Sequence, residues 1–367
     1  MSGSGPVGVG VVGAGTISEQ YLANMATFPD LDVRFVADLH PDVARRQADR
    51  FGVAESGTVE QLLAHDGVEL VVNLTVPAAH AEVASAALAA GRHVWNEKPI
   101  TADMAAGLAL IAQADAAGLL LGAAPDTFLG PGLQTARRMI EAGAIGTPLT
   151  ASVVMQYGGP HRWHPNPGFL YGPGAGPLFD MGPYYLTALS QTFGAVTRVA
   201  ARGTSAGPTR IVGTGPRAGE EIAVAVPTYV AALYDFESGG VAQATFSFDS
   251  PLKRMGVVEI AGTEATIAAP DPNNFTGEVR LNRGVDDWEP VPVTGAEGGR
   301  GIGAVDMARA IRTGEPHRAN GRLALHVLDT MFATAASIET AAFVPVGTRF
   351  DPIPALPEDW DPTALTL

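Results

Sequence analysis

The first 125 residues alternate short apolar runs with helix-forming segments, and no other feature of the chain constrains its fold as much. Residues 7–12, 33–37, 70–74, 93–95 and 119–123 read as strands. They are near-continuously apolar, as strands buried on both faces must be. The segments between them, 17–27, 41–51, 59–65, 79–90 and 102–117, read as helices. Thr58 and Thr101 stand where N-caps belong, Gly91 and Gly118 where helices end. Alternation of this kind builds a parallel sheet with helices on both faces. The pattern changes after about Pro125. A helix over 132–142 and a strand over 149–156 lead into a loop, 157–177, rich in aromatic residues, His, Pro and Gly. A helix over 181–193 follows. From Val196 to Val293 the period becomes two, with tight turns such as Glu237-Ser238-Gly239-Gly240, which predicts a mostly antiparallel sheet. Helices over 302–312 and 323–340 complete this second region. The fold class is α/β, with one domain over 1–125 and an α+β domain with a large, mostly antiparallel open sheet over 126–367.

Charge and composition narrow the function. The net charge is −15, which disfavours phosphate backbones and anionic lipid, so nucleic acid and membranes are not expected partners. There is no cysteine, which removes disulfides, thiolate metal sites and cysteine nucleophiles. Met1–Pro6 has no basic leader region, the run 7–12 is too short to span a bilayer, and the apolar stretch 104–124 is broken by Gln113, Asp115 and Gly118. These features point to the cytoplasm.

Gly13-Ala14-Gly15-Thr16-Ile17-Ser18 joins the first strand to the first helix. Gly13 permits a tight turn, Gly15 lets a pyrophosphate approach the backbone, and the third position needs only a small residue, here Ser18. The helix N-terminus then offers its N–H groups to the phosphate. Asp38 ends the second strand, where a carboxylate accepts from ribose hydroxyls. A structural turn with a solvated aspartate would give the same letters. The placement after a strand, before a helix and beside Asp38 favours a Rossmann dinucleotide-binding domain. Asp38 repels a 2′-phosphate, so NAD is expected over NADP.

Glu97-Lys98-Pro99 follows the strand 93–95, and ligands of open α/β sheets bind beyond the carboxyl ends of the strands. Alone, the tripeptide is as well explained by a surface lysine. The glycine turn, Asn73-Leu74-Thr75-Val76-Pro77-Ala78-Ala79-His80, Ala90-Gly91-Arg92-His93-Val94-Trp95-Asn96-Glu97-Lys98-Pro99, Gly143-Ala144-Ile145-Gly146, Gly176-Pro177-Leu178-Phe179-Asp180-Met181-Gly182 and Asp306-Met307-Ala308 together resemble the Gfo/Idh/MocA family, over nearly the whole chain and in that family's order. The resemblance implies hydride transfer between NAD(P) and a secondary alcohol or ketone of a sugar, inositol or similar compound. It implies Gly13, Gly15, Thr16, Ile17, Asp38, Thr75, Pro77, His80, Glu97 and Lys98 as cofactor residues, a cis Lys98–Pro99 bond, and no metal.

The chain departs from the family pattern where most members carry Asp-x-Gly-x-His-x-x-Asp. Here Tyr184 stands at the His position and Thr187 at the second Asp position. Some relatives share this tyrosine, and a phenol beside the Lys98 ammonium is a workable acid–base group. Lys98 and Tyr184 are therefore the expected catalytic pair, oriented by Asp180. A half-buried aromatic that only packs is the alternative for Tyr184. In the loop His161–Tyr171, the residues Trp163, His164 and Asn166 join Lys98, Asp180 and Tyr184 as substrate residues, since stacking rings with polar rims suit sugars; a packing loop or a subunit contact is the alternative. A zinc site at His161 and His164 lacks a third ligand. Alternation that leaves apolar side chains on both faces of the antiparallel sheet predicts a homodimer or homotetramer. Two other functions fit the motifs: a lyase or glycoside-cleaving enzyme that oxidises its substrate transiently and retains NAD, and a cofactor-sensing regulator.

Overall fold

A computed structural model of the protein describes residues 4–284 and 287–367; residues 1–3 and 285–286 lie outside them. The chain divides into two compact units. The first is built on a six-stranded parallel sheet in the order β3-β2-β1-β4-β5-β6. Its strands are β1 (Val7–Val12), β2 (Leu31–Ala37), β3 (Glu55–Gly57), β4 (Leu70–Asn73), β5 (His93–Asn96) and β6 (Leu121–Ala123). Between them run α1 (Thr16–Met25), α2 (Pro41–Phe51), α3 (Val59–Ala64), α4 (His80–Ala89) and α5 (Met104–Ala117). All six residues of β1 are buried, which is why its sequence does not alternate. Thr58 caps α3 through a reciprocal capping box with Gln61. The cap of α5 is Asp103, whose carboxylate accepts the Ala106 N–H, and not Thr101. Thr101 instead donates its hydroxyl to the Asp103 carbonyl, one step ahead of the cap. β3 was not foreseen: three residues of mixed polarity at a sheet edge carry no apolar run.

The second unit holds α6 (Pro131–Glu141), β7 (Pro148–Gln156) and α7 (Gly176–Phe193), followed by β8 (Val196–Thr204), the small hairpin β9 (Thr209–Ile211) and β10 (Glu221–Ala223), β11 (Tyr229–Phe236), β12 (Val241–Ser247), β13 (Arg254–Gly262), β14 (Thr266–Ala269), β15 (Val279–Asn282) and β16 (Glu289–Val291). Its nine-stranded sheet runs β16-β15-β14-β13-β7-β12-β11-β8-β17, closed at the edge by β17 (Val344–Pro345). Every described pair in it is antiparallel except β7 with β12. In β11, Val230, Ala232, Tyr234 and Phe236 are buried while Leu233 is 46% exposed. The helical layer, α7 and α9 (Gly321–Thr340), covers that buried face; Tyr234 reaches Thr334 of α9. α7 begins at Gly176, five residues earlier than the expected 181. Pro177 already occupies the first turn, where a proline costs the helix nothing, and Pro183 lies inside the helix.

The linear division at residue 125 does not capture the end of the chain. Gly295–Leu325 and Ile353–Leu367 belong with the first unit, including α8 (Ile302–Thr313), expected in the second. The cause is specific packing. A Cβ at Gly303 would stand 2.0 Å from the Trp95 ring. Arg312 forms a two-pronged ion pair with Glu69, both contacts at 2.7 Å. Arg309 reaches the fully buried Asp30 at 2.7 Å. These contacts join residues far apart in sequence, so no local pattern announces them.

A half-buried histidine, His93, and a buried one, His317, mark the sheet near β5 and β6. His93 accepts the Leu120 N–H at Nδ1, a bond that the protonated ring cannot make, and burial pushes its pKa down to about 4. Burial likewise lowers that of His317. The unfolded chain takes up these protons below about pH 6.5 and the native state refuses them, so stability present above that pH declines as pH falls toward 4. The melting temperature should therefore drop between pH 7 and 5, and His93→Gln should make the drop smaller; equal drops in the two proteins would contradict the assignment.

Candidate active site

In the first unit the groups gather at the carboxyl ends of β1, β4 and β5. Gly13 has φ 100°, and a Cβ there would lie 2.8 Å from the Leu74 carbonyl, so only glycine fits. Gly15 caps α1 without a side-chain bond, and a Cβ on it would meet nothing within 4 Å. The N-terminus of α1, with Thr16 exposed and Ile17 half-buried, is thus an open cradle of N–H donors, which fits a dinucleotide pyrophosphate. Ser18 is buried, donates to the Gly15 carbonyl and accepts from Gln47, so the third small position serves helix packing. Asp38 holds the turn from the other side, accepting the Ala14 N–H at 2.8 Å and the His40 N–H at 3.0 Å.

Asn73 and Asn96, at the ends of β4 and β5, bond to each other at 3.0 Å. Asn73 also accepts from Thr75 through backbone and hydroxyl. Neither asparagine stood out in the sequence; two buried amides ending adjacent strands were the available signal. Pro77 opens an exposed 3-10 turn beside this loop. His80 is fully buried, its ring nitrogens against the Pro99 and Thr75 carbonyls at 2.6 and 3.0 Å, which makes it the brace between those loops. Glu97 is buried as well. One carboxylate oxygen accepts the Tyr21 hydroxyl and the other the Lys98 N–H, each at 2.8 Å, with Arg300 at 3.8 Å. Glu97 therefore fixes the backbone that carries the half-buried Lys98, and the Lys98–Pro99 bond is cis. Asp126, just beyond β6, was missed by the sequence reading. Fully buried, it accepts the Gly301 and Gly303 N–H groups at the start of α8. Burial pushes its pKa up to about 6, opposed by Arg300 and those two N–H groups.

In the second unit Asp180 and Tyr184 lie on α7, four residues apart on one face, in its second and third turns. Tyr184 is 4% exposed and Thr187 is buried. Tyr157, directly after β7, is hydrogen-bonded by the Trp163 indole; burial, then the nearby Asp180 carboxylate, push its phenol well up. Tyr157 is thus a candidate site residue that the sequence reading passed over, because it sits at a strand end rather than in the dense motif. His164 accepts the Asn166 N–H at Nδ1, 3.0 Å, and the Asn166 side chain is bonded by Arg217. His161 instead turns inward to the Tyr171 hydroxyl at 2.7 Å.

With this geometry, comparison with known proteins is decisive. The description "Oxidoreductase family, NAD-binding Rossmann fold" matches residues 7–124, and "GFO/IDH/MocA C-terminal domain" matches residues 133–268, together more than half of the chain. The chain belongs to the Gfo/Idh/MocA family. Its N-terminal unit is accordingly an NAD-binding Rossmann fold. Among curated relatives, it is 30% identical to a dTDP-3,4-didehydro-2,6-dideoxy-alpha-D-glucose 3-reductase of Actinomadura kijaniata, over 52% of this chain and 57% of that one. It is 32% identical to an inositol 2-dehydrogenase/D-chiro-inositol 3-dehydrogenase of Lactiplantibacillus plantarum, over 38% and 41%. The chain thus spans little more than half the length of the first of these. A solved levoglucosan dehydrogenase in complex with NADH has the same fold, with a TM-score of 0.81 over 94% of this chain and 100% of that one at 21% identity.

As a member of this family, the protein is expected to read its cofactor through Asp38. NAD should bind at least about tenfold more tightly than NADP, since a 2′-phosphate beside the carboxylate forfeits more than 1.4 kcal/mol. Asp38→Asn should narrow that gap. Calorimetric titration with both dinucleotides measures it, and equal affinities in the unmodified protein would show that Asp38 does not meet the ribose.

Proposed function

We propose that the protein is an NAD-dependent oxidoreductase that moves a hydride between the nicotinamide and a secondary alcohol or ketone of a sugar, glycoside or polyol, with Lys98, Tyr184 and Asp180 as its catalytic residues. Bound NAD supplies the hydride acceptor in one direction and the donor in the other. Gly13, Gly15 and the N–H groups of α1 hold the pyrophosphate, and Asp38 the ribose. Lys98 Nζ offsets the charge that develops on the substrate oxygen. Tyr184 Oη exchanges the hydroxyl proton, and Asp180 orients Lys98 and Tyr184.

The observation that carries this reading is Lys98. Of 23 basic residues only two, Lys98 and Lys253, are lysines, so almost everywhere else the chain uses arginine. Guanidinium is a planar fork that does not give up its proton, whereas an ammonium is a compact charge whose proton can be exchanged. One of these two lysines follows β5 directly, on a backbone anchored by Glu97. Lys98→Arg should accordingly lose turnover although the charge is kept. Tyr184→Phe should lose roughly 10²–10⁴ in kcat, the usual cost of a general acid–base group, while NAD affinity stays within about twofold. NADH formation against a panel of sugars, inositols and glycosides finds the substrate on which to measure this. Normal turnover of Tyr184→Phe would reassign the proton, with a water held by Lys98 the next candidate. NADH that forms but never exceeds the enzyme concentration would favour transient oxidation with retained cofactor.

The same reading extends to assembly. The outward face of the nine-stranded sheet carries a groove of about 560 Å³, lined by Val154, Ala200, Ala231, Leu233, Thr245 and Phe343 among others. A broad sheet with small and apolar side chains outward needs a cover, and a second copy of the chain supplies one of matching strand geometry. Light scattering should give a dimer or tetramer mass, and Leu233→Arg should lower it; a monomer in the unmodified protein at micromolar concentration would refute this.

A further inference from the structure

The loop after β7 presents aromatic rings to solvent, although aromatic rings gain most when buried. Trp163 is 59% and Phe169 63% exposed. They form one continuous edge-stacked row with His164 between them, at centroid distances of 5.6 and 5.4 Å. The row is held rigidly from behind. The excursion between β8 and β11 backs it: the Gly213 N–H donates to the His161 carbonyl at 2.7 Å, and a Cβ at Gly215 would stand 2.7 Å from Pro165. Arg217 of the same excursion binds Asn166. Pro165 and Pro167 stiffen the chain between the rings. At its inner end the Trp163 indole bonds Tyr157, and the 3-10 turn that carries Phe169 packs against α7, the helix of Asp180 and Tyr184. The row thus runs from the neighbourhood of Asp180 outward.

We propose that Trp163, His164 and Phe169 form a subsite for a second ring, joined through a glycosidic bond to the sugar that is oxidised or reduced, so that the substrate is a glycoside rather than a free monosaccharide or inositol. This rests on the hydride-transfer reading above and narrows its substrate class. A ring with an apolar face and a hydroxyl rim matches stacked aromatics flanked by the exposed polar groups of Arg162 and Asn166. A second protein chain matches less well. The two exposed rings offer roughly 200–300 Å² between them, against about 800 Å² per partner in a stable interface.

The test compares methyl glycosides with disaccharides and aryl glycosides of the same reacting sugar, which separates a sugar second ring from an aryl one. Two readouts are used: kcat/KM from NADH formation, and binding by saturation-transfer NMR with NAD present. Two-ring compounds should bind better than one-ring compounds. Trp163→Ala and Phe169→Ala should each cost roughly 3- to 10-fold, in KM rather than kcat, and the loss should fall mainly on two-ring compounds. Equal losses on both kinds, or no preference for two rings, would overturn the subsite, as would a fall in oligomer mass in either variant. Two-ring binding that depends on both aromatics but yields no NADH would support the subsite while refuting hydride transfer. No binding of any glycoside, with NADH still formed from a free sugar or inositol, would refute the subsite and leave hydride transfer standing.

Discussion

The close approach of Gly13 to the Leu74–Thr75 backbone is the constraint on which the cofactor end depends. Three strands meet there: the Gly13 N–H donates to Ala37 at the end of β2, and the Leu74 N–H donates to Val12 at the end of β1. No side chain fits between them, so the loops after β1, β2 and β4 lie at backbone contact distance. That contact leaves the N-terminus of α1 open, sets Asp38 against Ala14, and starts the Thr75 loop that His80 ties to Pro99. The Lys98 position follows from it through the Asn73–Asn96 bond and the Glu97 carboxylate that holds the Lys98 N–H.

A second theme is the use of carboxylates as backbone anchors. The chain is strongly acidic, yet several acids do not face solvent as simple solubilising charges. Asp38 holds the glycine turn, Glu97 the Lys98 amide, Asp126 the start of α8, and Asp30 the Thr366 and Leu367 amides together with Arg309. Charge-assisted bonds to N–H groups are stronger than neutral ones, and they position loops that lack a ladder of their own. In the second unit Asp329 does the same for Gly347 and Thr348, and Asp249 gathers Thr228 and Arg210 beneath the loop that carries the aromatic row. The candidate chemistry in both units stands on such anchors.

Much of the Rossmann half was legible because its signals are local. Apolar runs with no alternation, a glycine turn between strand and helix, and an acid at the end of β2 all act within about thirty residues. The sheet of the second unit was legible as period-two strands, but its order was not, since β7 pairs in parallel with β12 nearly a hundred residues later. Asp126 escaped notice for the same reason: its partners are at Gly301 and Gly303, far along the chain. His80 and Glu97 were expected to line the cofactor; both are buried, His80 bracing the Thr75 and Pro99 loops and Glu97 the Lys98 amide.

What the sequence alone determined is therefore the class of the chain and its NAD-binding Rossmann half, because strand period and glycine turns are properties of short segments. The tertiary structure decided the rest. Only packing could return α8 and the last residues of the chain to the first unit, bring Asp126 to the start of that helix, and hold Trp163 and Phe169 outward on a braced loop. Each of these depends on contacts between residues far apart in the chain, and such contacts exist only once the chain has folded.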